Sequence, residues 1–265
     1  MMESFKEFKY RFTYPNVSFI YETVFDRAEE EYLEDYFDPE DGAFRLRISK
    51  PQKDTLLHDF LRVRLKLDYE YFEDKVGYSE IIDEYEKILN TYHVPFLPSK
   101  EFEGSVNDDG LLKECEDTKF NYIQNLKQLL IPIFEQIVQE SFTILFGDRM
   151  FLLKFNEIVA SITKKMRKYD YPEIMKRDGV VKRATYIPRW LKDAIFHRDK
   201  GKCQVCGRDL SGLMFLGEEI HYDHVIPLNL GGNNDPTNFQ LLCKEHNLSK
   251  SGTQIITSER YQTYW

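Results

Sequence analysis

Cys203-Gln204-Val205-Cys206-Gly207 and Cys243-Lys244-Glu245-His246, with 36 residues between the two pairs, are the stretches that organise this 265-residue sequence. Each places two soft donors one tight turn apart, so both can reach a single ion. Together they make a Cys3His set, the composition of a closed tetrahedral structural zinc site. With all four positions filled no site is left for water, so zinc is expected to fold this segment rather than to react. The interval exceeds that of a short zinc ribbon, so a further element must be inserted between the two halves. The spacing favours metal over a disulfide framework, and Cys115, which stands alone, is expected to be inert.

The insert carries the polar residues. Ile220-His221-Tyr222-Asp223-His224-Val225-Ile226-Pro227-Leu228 is expected to form a short strand ending at Pro227. A loop from Asn229 to Asn238 follows, then a second strand, Phe239-Gln240-Leu241-Leu242, and a short helix through Lys250.

Asp223-His224 with Ile226-Pro227-Leu228, Gly231-Gly232, Asn238-Phe239-Gln240-Leu241-Leu242-Cys243 and Asn247-Leu248-Ser249-Lys250 resemble the HNH endonuclease family, with its ββα-metal fold. The preceding Arg198-Asp199-Lys200-Gly201-Lys202-Cys203 is similar to the lead-in of zinc-containing members. The likeness covers about residues 185–252, and residues 1–180 resemble no family. It implies that His224 is the general base that deprotonates the attacking water, a role suited to an imidazole of ordinary pKa about 6.5. It makes Asp223 a ligand of a catalytic divalent cation and Asn247 a second oxygen ligand. Such a donor set suits Mg²⁺ better than zinc. Asn238 would brace the loop so that the His224 ring points at the water, and Lys250 would touch an adjacent phosphate. Arg198 and His221 are further candidates on the substrate side; His221 shares the strand face of Asp223 and would reach metal or substrate. One departure is His246, which stands where cysteine is more usual.

The net charge of −9 hides an asymmetry. Residues 151–265 carry 18 basic against 13 acidic side chains, while residues 1–150 carry 18 against 32. The basic excess is densest from Lys164 to Lys202, with 13 positive and 5 negative residues. A phosphate backbone would meet that segment favourably, and the acidic part would face water or a protein partner. The most apolar run, Leu129 to Gly147, is interrupted by Glu135, Gln136, Gln139 and Glu140, so no membrane span is expected. The first residues lack the pattern of a signal peptide, and a cytoplasmic location is expected.

The fold class expected is α+β: an acidic, mostly helical domain over residues 1–175, of sensor, interaction or substrate-recognition role, then the ββα-metal domain over 185–265. Alternation in Phe8–Phe12 and Val17–Tyr21 fits short strands. Glu29–Asp41 reads as a solvated acidic run closed by an Asp41-Gly42 turn. Helices are expected from Thr55 to about Asn90 and from Lys119 to Arg167, the latter broken near Pro132 and Gly147. A loop is expected at Asn107-Asp108-Asp109-Gly110 and a connector at Tyr169–Gly179, then a helix from Pro188 to Asp199. The resemblance implies phosphodiester hydrolysis, on double-stranded DNA first and on RNA or a branched duplex as alternatives, in a setting like bacterial restriction or anti-phage defence. The rival expectation is a zinc-finger protein that binds nucleic acid without cutting it.

Overall fold

The computed structural model describes residues 8–26, 36–98, 116–212 and 220–258. The loop at Asn107–Gly110, Cys115 and most of the acidic run Glu29–Asp41 lie outside them. In chain order the helices are α1 (Thr13–Phe25), α2 (Gly42–Ser49), α3 (Leu56–Lys75), α4 (Tyr78–Thr91), α5 (Glu116–Phe146), α6 (Arg149–Lys165), α7 (Arg189–Arg198) and α8 (Lys244–Lys250). The strands are β1 (Met175–Arg177), β2 (Val180–Val181), β3 (His221–His224) and β4 (Phe239–Leu242). Two compact units interleave along the chain: Met1–Asn16 with Phe60–Phe142, and Val17–Asp59 with Thr143–Trp265. The connector expected near residues 170–185 lies inside the second unit.

The first unit is helical. In α4 the buried residues Ile81, Ile82, Tyr85, Ile88 and Leu89 recur at intervals of three and four and form one apolar stripe. A buried carboxylate ties the start of the chain to α5. Glu140 accepts from the backbone N–H groups of Lys9 at 2.9 Å and Tyr10 at 3.1 Å, from the Thr13 hydroxyl, and from Gln136 at 3.0 Å. Burial disfavours its charge, but these donors outweigh burial and hold its pKa below the usual carboxylate range. Pro132 does not break α5, contrary to expectation. A proline removes one ladder bond, and buried Leu130, Ile133 and Ile137 anchor the helix on either side of it. By length and composition Thr118–Phe146 is apolar enough to cross a membrane, and within it Glu135 pairs with Arg62 at 2.8 Å.

Helix α1 replaces the strand expected over Val17–Tyr21, and Phe8–Phe12, also expected as a strand, is irregular chain and a turn leading into it. In α1, Ile20 and Val24 lie one turn apart and are fully buried. The Asp41-Gly42 pair is a helix start: the Asp41 carboxylate accepts from the N–H groups of Ala43 at 2.9 Å and Phe44 at 3.3 Å. Asp148 caps α6 in the same way, at 2.9 and 3.0 Å from the N–H groups of Met150 and Phe151. The chain does break at Gly147, as its sequence predicts.

The rest of the second unit holds two small antiparallel sheets, β1–β2 and β3–β4. The β1–β2 hairpin occupies the segment expected to be only a connector. Strands β3 and β4 pair His221 with Leu242, Tyr222 with Leu241, Asp223 with Gln240 and His224 with Phe239. Helix α8 follows at once, giving the expected ββα order. One core underlies it: Leu191 and Ile195 of α7 pack with Leu210, Phe239, Leu241, Leu242, Cys203 and Cys243. The Gly231-Gly232 bend in the insert is sterically required. A Cβ on Gly232 would lie 1.9 Å from the Ile226 carbonyl oxygen, and Gly231 has φ +86°.

Candidate functional site

The four soft donors meet. Cys203 and Cys206 flank a knuckle closed by the Gly207 N–H, which donates to the Cys203 carbonyl at 2.8 Å, with Gly207 at φ +73°. Cys243 precedes the first turn of α8 and His246 lies in it, so the helix start delivers the second pair. All four ligand atoms lie within 4.8 Å of one another. His246 Nδ1 lies 3.6 Å from Cys203 Sγ and 3.1 Å from Cys243 Sγ. A tetrahedral zinc with usual bond lengths sets donor separations of about 3.5–3.8 Å, which the separations here bracket, so the cluster is compatible with the ion. Burial opposes ionisation of Cys203, but backbone N–H groups of Cys206, Cys243 and Val205 hold its thiol down to about 7, favouring the thiolate that zinc needs.

Alternation along β3 divides the polar residues between two faces. His221 and Asp223 face α8, where His221 Nδ1 lies 3.3 Å from Asn247 Nδ2 and Asp223 Oδ2 accepts from Lys250 Nζ at 2.7 Å. His221, Asp223 and Asn247 line one cleft of about 400 Å³, together with Arg183, Asn229 and Tyr222. The second Asp223 oxygen and the Asn247 amide oxygen make no hydrogen bond among the described residues, which suits a hard divalent cation.

His224 takes the opposite face. It is buried, and its ring lies 4.5 Å from that of Phe239, its cross-strand partner. Asn234 fixes its tautomer. The Asn234 Nδ2 donates to the carbonyls of Lys182 at 2.8 Å and Ser49 at 3.0 Å. Its Oδ1 is therefore left to accept from the Ala184 N–H at 3.1 Å and from His224 Nε2 at 3.2 Å. Nε2 then carries the proton, and Nδ1 is a buried lone pair without a partner among the described residues. Burial, reinforced by the charge of Arg183, pulls the imidazole down to about 4 and keeps it neutral.

Asn238 fastens the ends of the insert. Its Nδ2 donates to the Ile226 and Asn233 carbonyls at 3.0 and 2.9 Å, and its Oδ1 accepts from the Ile226 N–H at 2.8 Å.

Two residues expected on the substrate side have structural surroundings instead. The Lys250 ammonium is buried against Asp223 and the His224 and Val225 carbonyls, so all three protons are used and none is left for a phosphate. Arg198 is buried as well; it donates to Asp199 and the Phe239 carbonyl and lies over the Phe146 ring at 4.9 Å. Both hold strand ends in place. Arg183, Asn229 and Asn234 were not singled out in the sequence. The dense run of basic residues that includes Arg183 was the signal for it, but only the β1–β2 hairpin shows which of those residues reaches the cleft.

No curated protein and no solved structure matches the chain. No family matches its N-terminal part, whereas residues 203–252 match the family model for HNH endonuclease, so the segment that carries the Cys3His cluster and the β3 and α8 residues of this cleft is an HNH domain.

Proposed function

We propose that this chain is a metal-dependent endonuclease that hydrolyses phosphodiester bonds, with double-stranded DNA as the first substrate and RNA as the alternative. The observation that carries the reading is that Asp223 and Asn247, from β3 and α8, line one cleft, with Asn247 next in the chain to His246 of the Cys3His cluster. Their free oxygens would hold Mg²⁺ or a similar cation. Bound there, the cation would neutralise the scissile phosphate and stabilise the departing 3′ oxygen. Lys250 holds Asp223 in one rotamer, and Asn238 holds the insert. His224 is neutral at physiological pH with Nδ1 unprotonated, the state a general base needs, but its ring is buried on the face of β3 away from the cleft.

A second reading gives the base role to His221, because His221 lines the cleft and His224 does not. Nicking of supercoiled plasmid by His224→Ala and His221→Ala, with zinc content as the folding control, decides between them. Loss of the base should slow cutting by about 10²–10⁴-fold. Unimpaired cutting by His224→Ala removes that residue from the role. Salt-sensitive binding without cutting in Mg²⁺ would mark a non-catalytic zinc-finger binder instead. The acidic excess in the sequence of residues 1–150 favours a protein partner, and we place the chain in the cytoplasm, in a restriction or anti-phage assembly. Pull-down from native cells tests that setting, and recovery of the protein alone would count against an assembly.

A further inference from the structure

Arg183 lies outside the matched segment, in the stretch between the β1–β2 hairpin and α7. Its backbone is held on both sides by one side chain: Asn234 donates to the Lys182 carbonyl at 2.8 Å and accepts from the Ala184 N–H at 3.1 Å. The same Asn234 oxygen faces His224. Lys182 is itself anchored, its N–H donating to the Ile174 carbonyl at 2.8 Å. So the base of the Arg183 side chain is rigid while its guanidinium is exposed in the cleft beside Asp223 and Asn247. Among the described residues that guanidinium makes no hydrogen bond or ion pair. It does not pair with Asp223, whose charge is already matched by Lys250. Arg183 is thus a surplus positive charge at the cleft.

On the same hairpin, Arg177 donates to Asn229 Oδ1 at 3.4 Å, and Asn229 lines the cleft. Exposed Lys176 and Lys182 directly precede Arg177 and Arg183 in the chain, the Lys182 ammonium donating to the Pro172 and Glu173 carbonyls. A guanidinium on a fixed mount, free of protein partners and followed by further cations, matches the charge and fork geometry of successive phosphates.

We propose that Arg183 is the substrate-phosphate contact of this cleft, and that Arg177 continues it as a phosphate-binding track for the backbone of a nucleic-acid strand. This rests on the nuclease reading for the reaction but not for the binding, so binding and cutting are measured separately. Arg183→Gln, Arg183→Lys and a control, Arg11→Gln, are compared with wild type. Each is titrated with a short DNA duplex and a matched RNA duplex in EDTA across a salt series, then assayed for plasmid nicking in Mg²⁺.

Arg183→Gln should bind about tenfold more weakly, with the slope of log K against log salt shallower by about 1, whichever nucleic acid binds. Its nicking at saturating DNA should fall by about 10²-fold. Arg183→Lys should keep the slope but nick slowly, because a point charge does not reproduce the fork. Arg11→Gln removes the same charge outside the basic run Lys164–Lys202 and should match wild type. If Arg183→Gln binds and nicks like wild type, or if wild type binds neither duplex, the proposal is overturned. Wild type that binds through Arg183 but nicks nothing supports the contact and overturns the nuclease reading alone. Should Arg183→Gln lose its zinc, Arg183→Lys carries the test: slow nicking supports the contact and unchanged nicking overturns it.

Discussion

The ammonium of Lys250 lies 2.7 Å from Asp223 Oδ2 and is almost wholly buried, so the Asp223 carboxylate that lines the cleft is held by the last residue of α8. The same ammonium donates to the carbonyls of His224 and Val225. Removing it strands a partly buried carboxylate and two carbonyls together. Lys250→Met should therefore destabilise the protein by about 3 kcal/mol or more. It should also weaken divalent-ion dependence, because Asp223 loses its fixed rotamer. Denaturant unfolding and a Mg²⁺ titration of nicking measure the two effects. A variant of wild-type stability and Mg²⁺ dependence would show that the pair holds nothing in place.

Two buried groups should give opposing pH dependences. His224 is lowered from 6.5 to about 4, first by burial. Between those values the unfolded chain binds a proton that the folded chain refuses. Stability therefore falls as pH drops through that window, by about 3 kcal/mol in full. Asp235 is raised from 3.8 to about 6 by burial, which outweighs its donors Thr237 and Leu56. There the folded chain keeps a proton that the unfolded chain releases, so stability is lost as pH rises from 3.8 to about 6. The two slopes oppose each other in wild type. In Asp235→Asn only the His224 slope remains, so stability should climb with pH between about 4 and 6 more steeply than in wild type. Denaturant midpoints across that range report it, and parallel curves for the two proteins would contradict it.

The two glycines near the site should differ in their tolerance of a methyl group. Alanine at Gly232 would put its Cβ 1.9 Å from a backbone oxygen that cannot move freely, and should cost about 3 kcal/mol or more. Alanine at Gly207 meets nothing within 4 Å and bears only the strain of φ +73°, so about 1–2 kcal/mol is expected. Thermal unfolding of both variants, with zinc content measured, tests the order; equal losses would place the strain elsewhere.

The Cys3His cluster was legible because such ligands come in short, fixed spacings that local turns impose, and Cys203, Cys206, Cys243 and His246 do converge. The ββα order was legible for the same reason: Pro227, the glycine pair and the apolar run Phe239–Leu242 punctuate it locally. What stayed hidden depends on contacts distant in sequence. Nothing local marks Lys250 as buried, since a lysine at the end of an amphipathic helix usually reaches solvent. Asn234 gains its role only when Ser49, Lys182 and Ala184 come to it from two other segments. Asp41-Gly42 was read as a turn because an aspartate before glycine signals a turn or a helix start equally.

Withdrawal of zinc should unfold the HNH segment rather than merely silence it. The core there is small, and binding a structural zinc contributes on the order of 10 kcal/mol. Chelation, or Cys243→Ser, should abolish the tight metal content and the cooperative melting of residues 203–258 together. A chelated protein that melts like the loaded one would show that the four donors meet without a structural ion.

The most direct measurement is plasmid nicking by pure wild-type protein and by Asp223→Ala, each in Mg²⁺ and in EDTA. Conversion of supercoiled to relaxed DNA by wild type in Mg²⁺ alone, with Asp223→Ala at background in both, is the expected result. Relaxation that persists in EDTA, or that Asp223→Ala carries out as fast as wild type, would contradict a cleft in which Asp223 holds the cation that makes phosphodiester cleavage work.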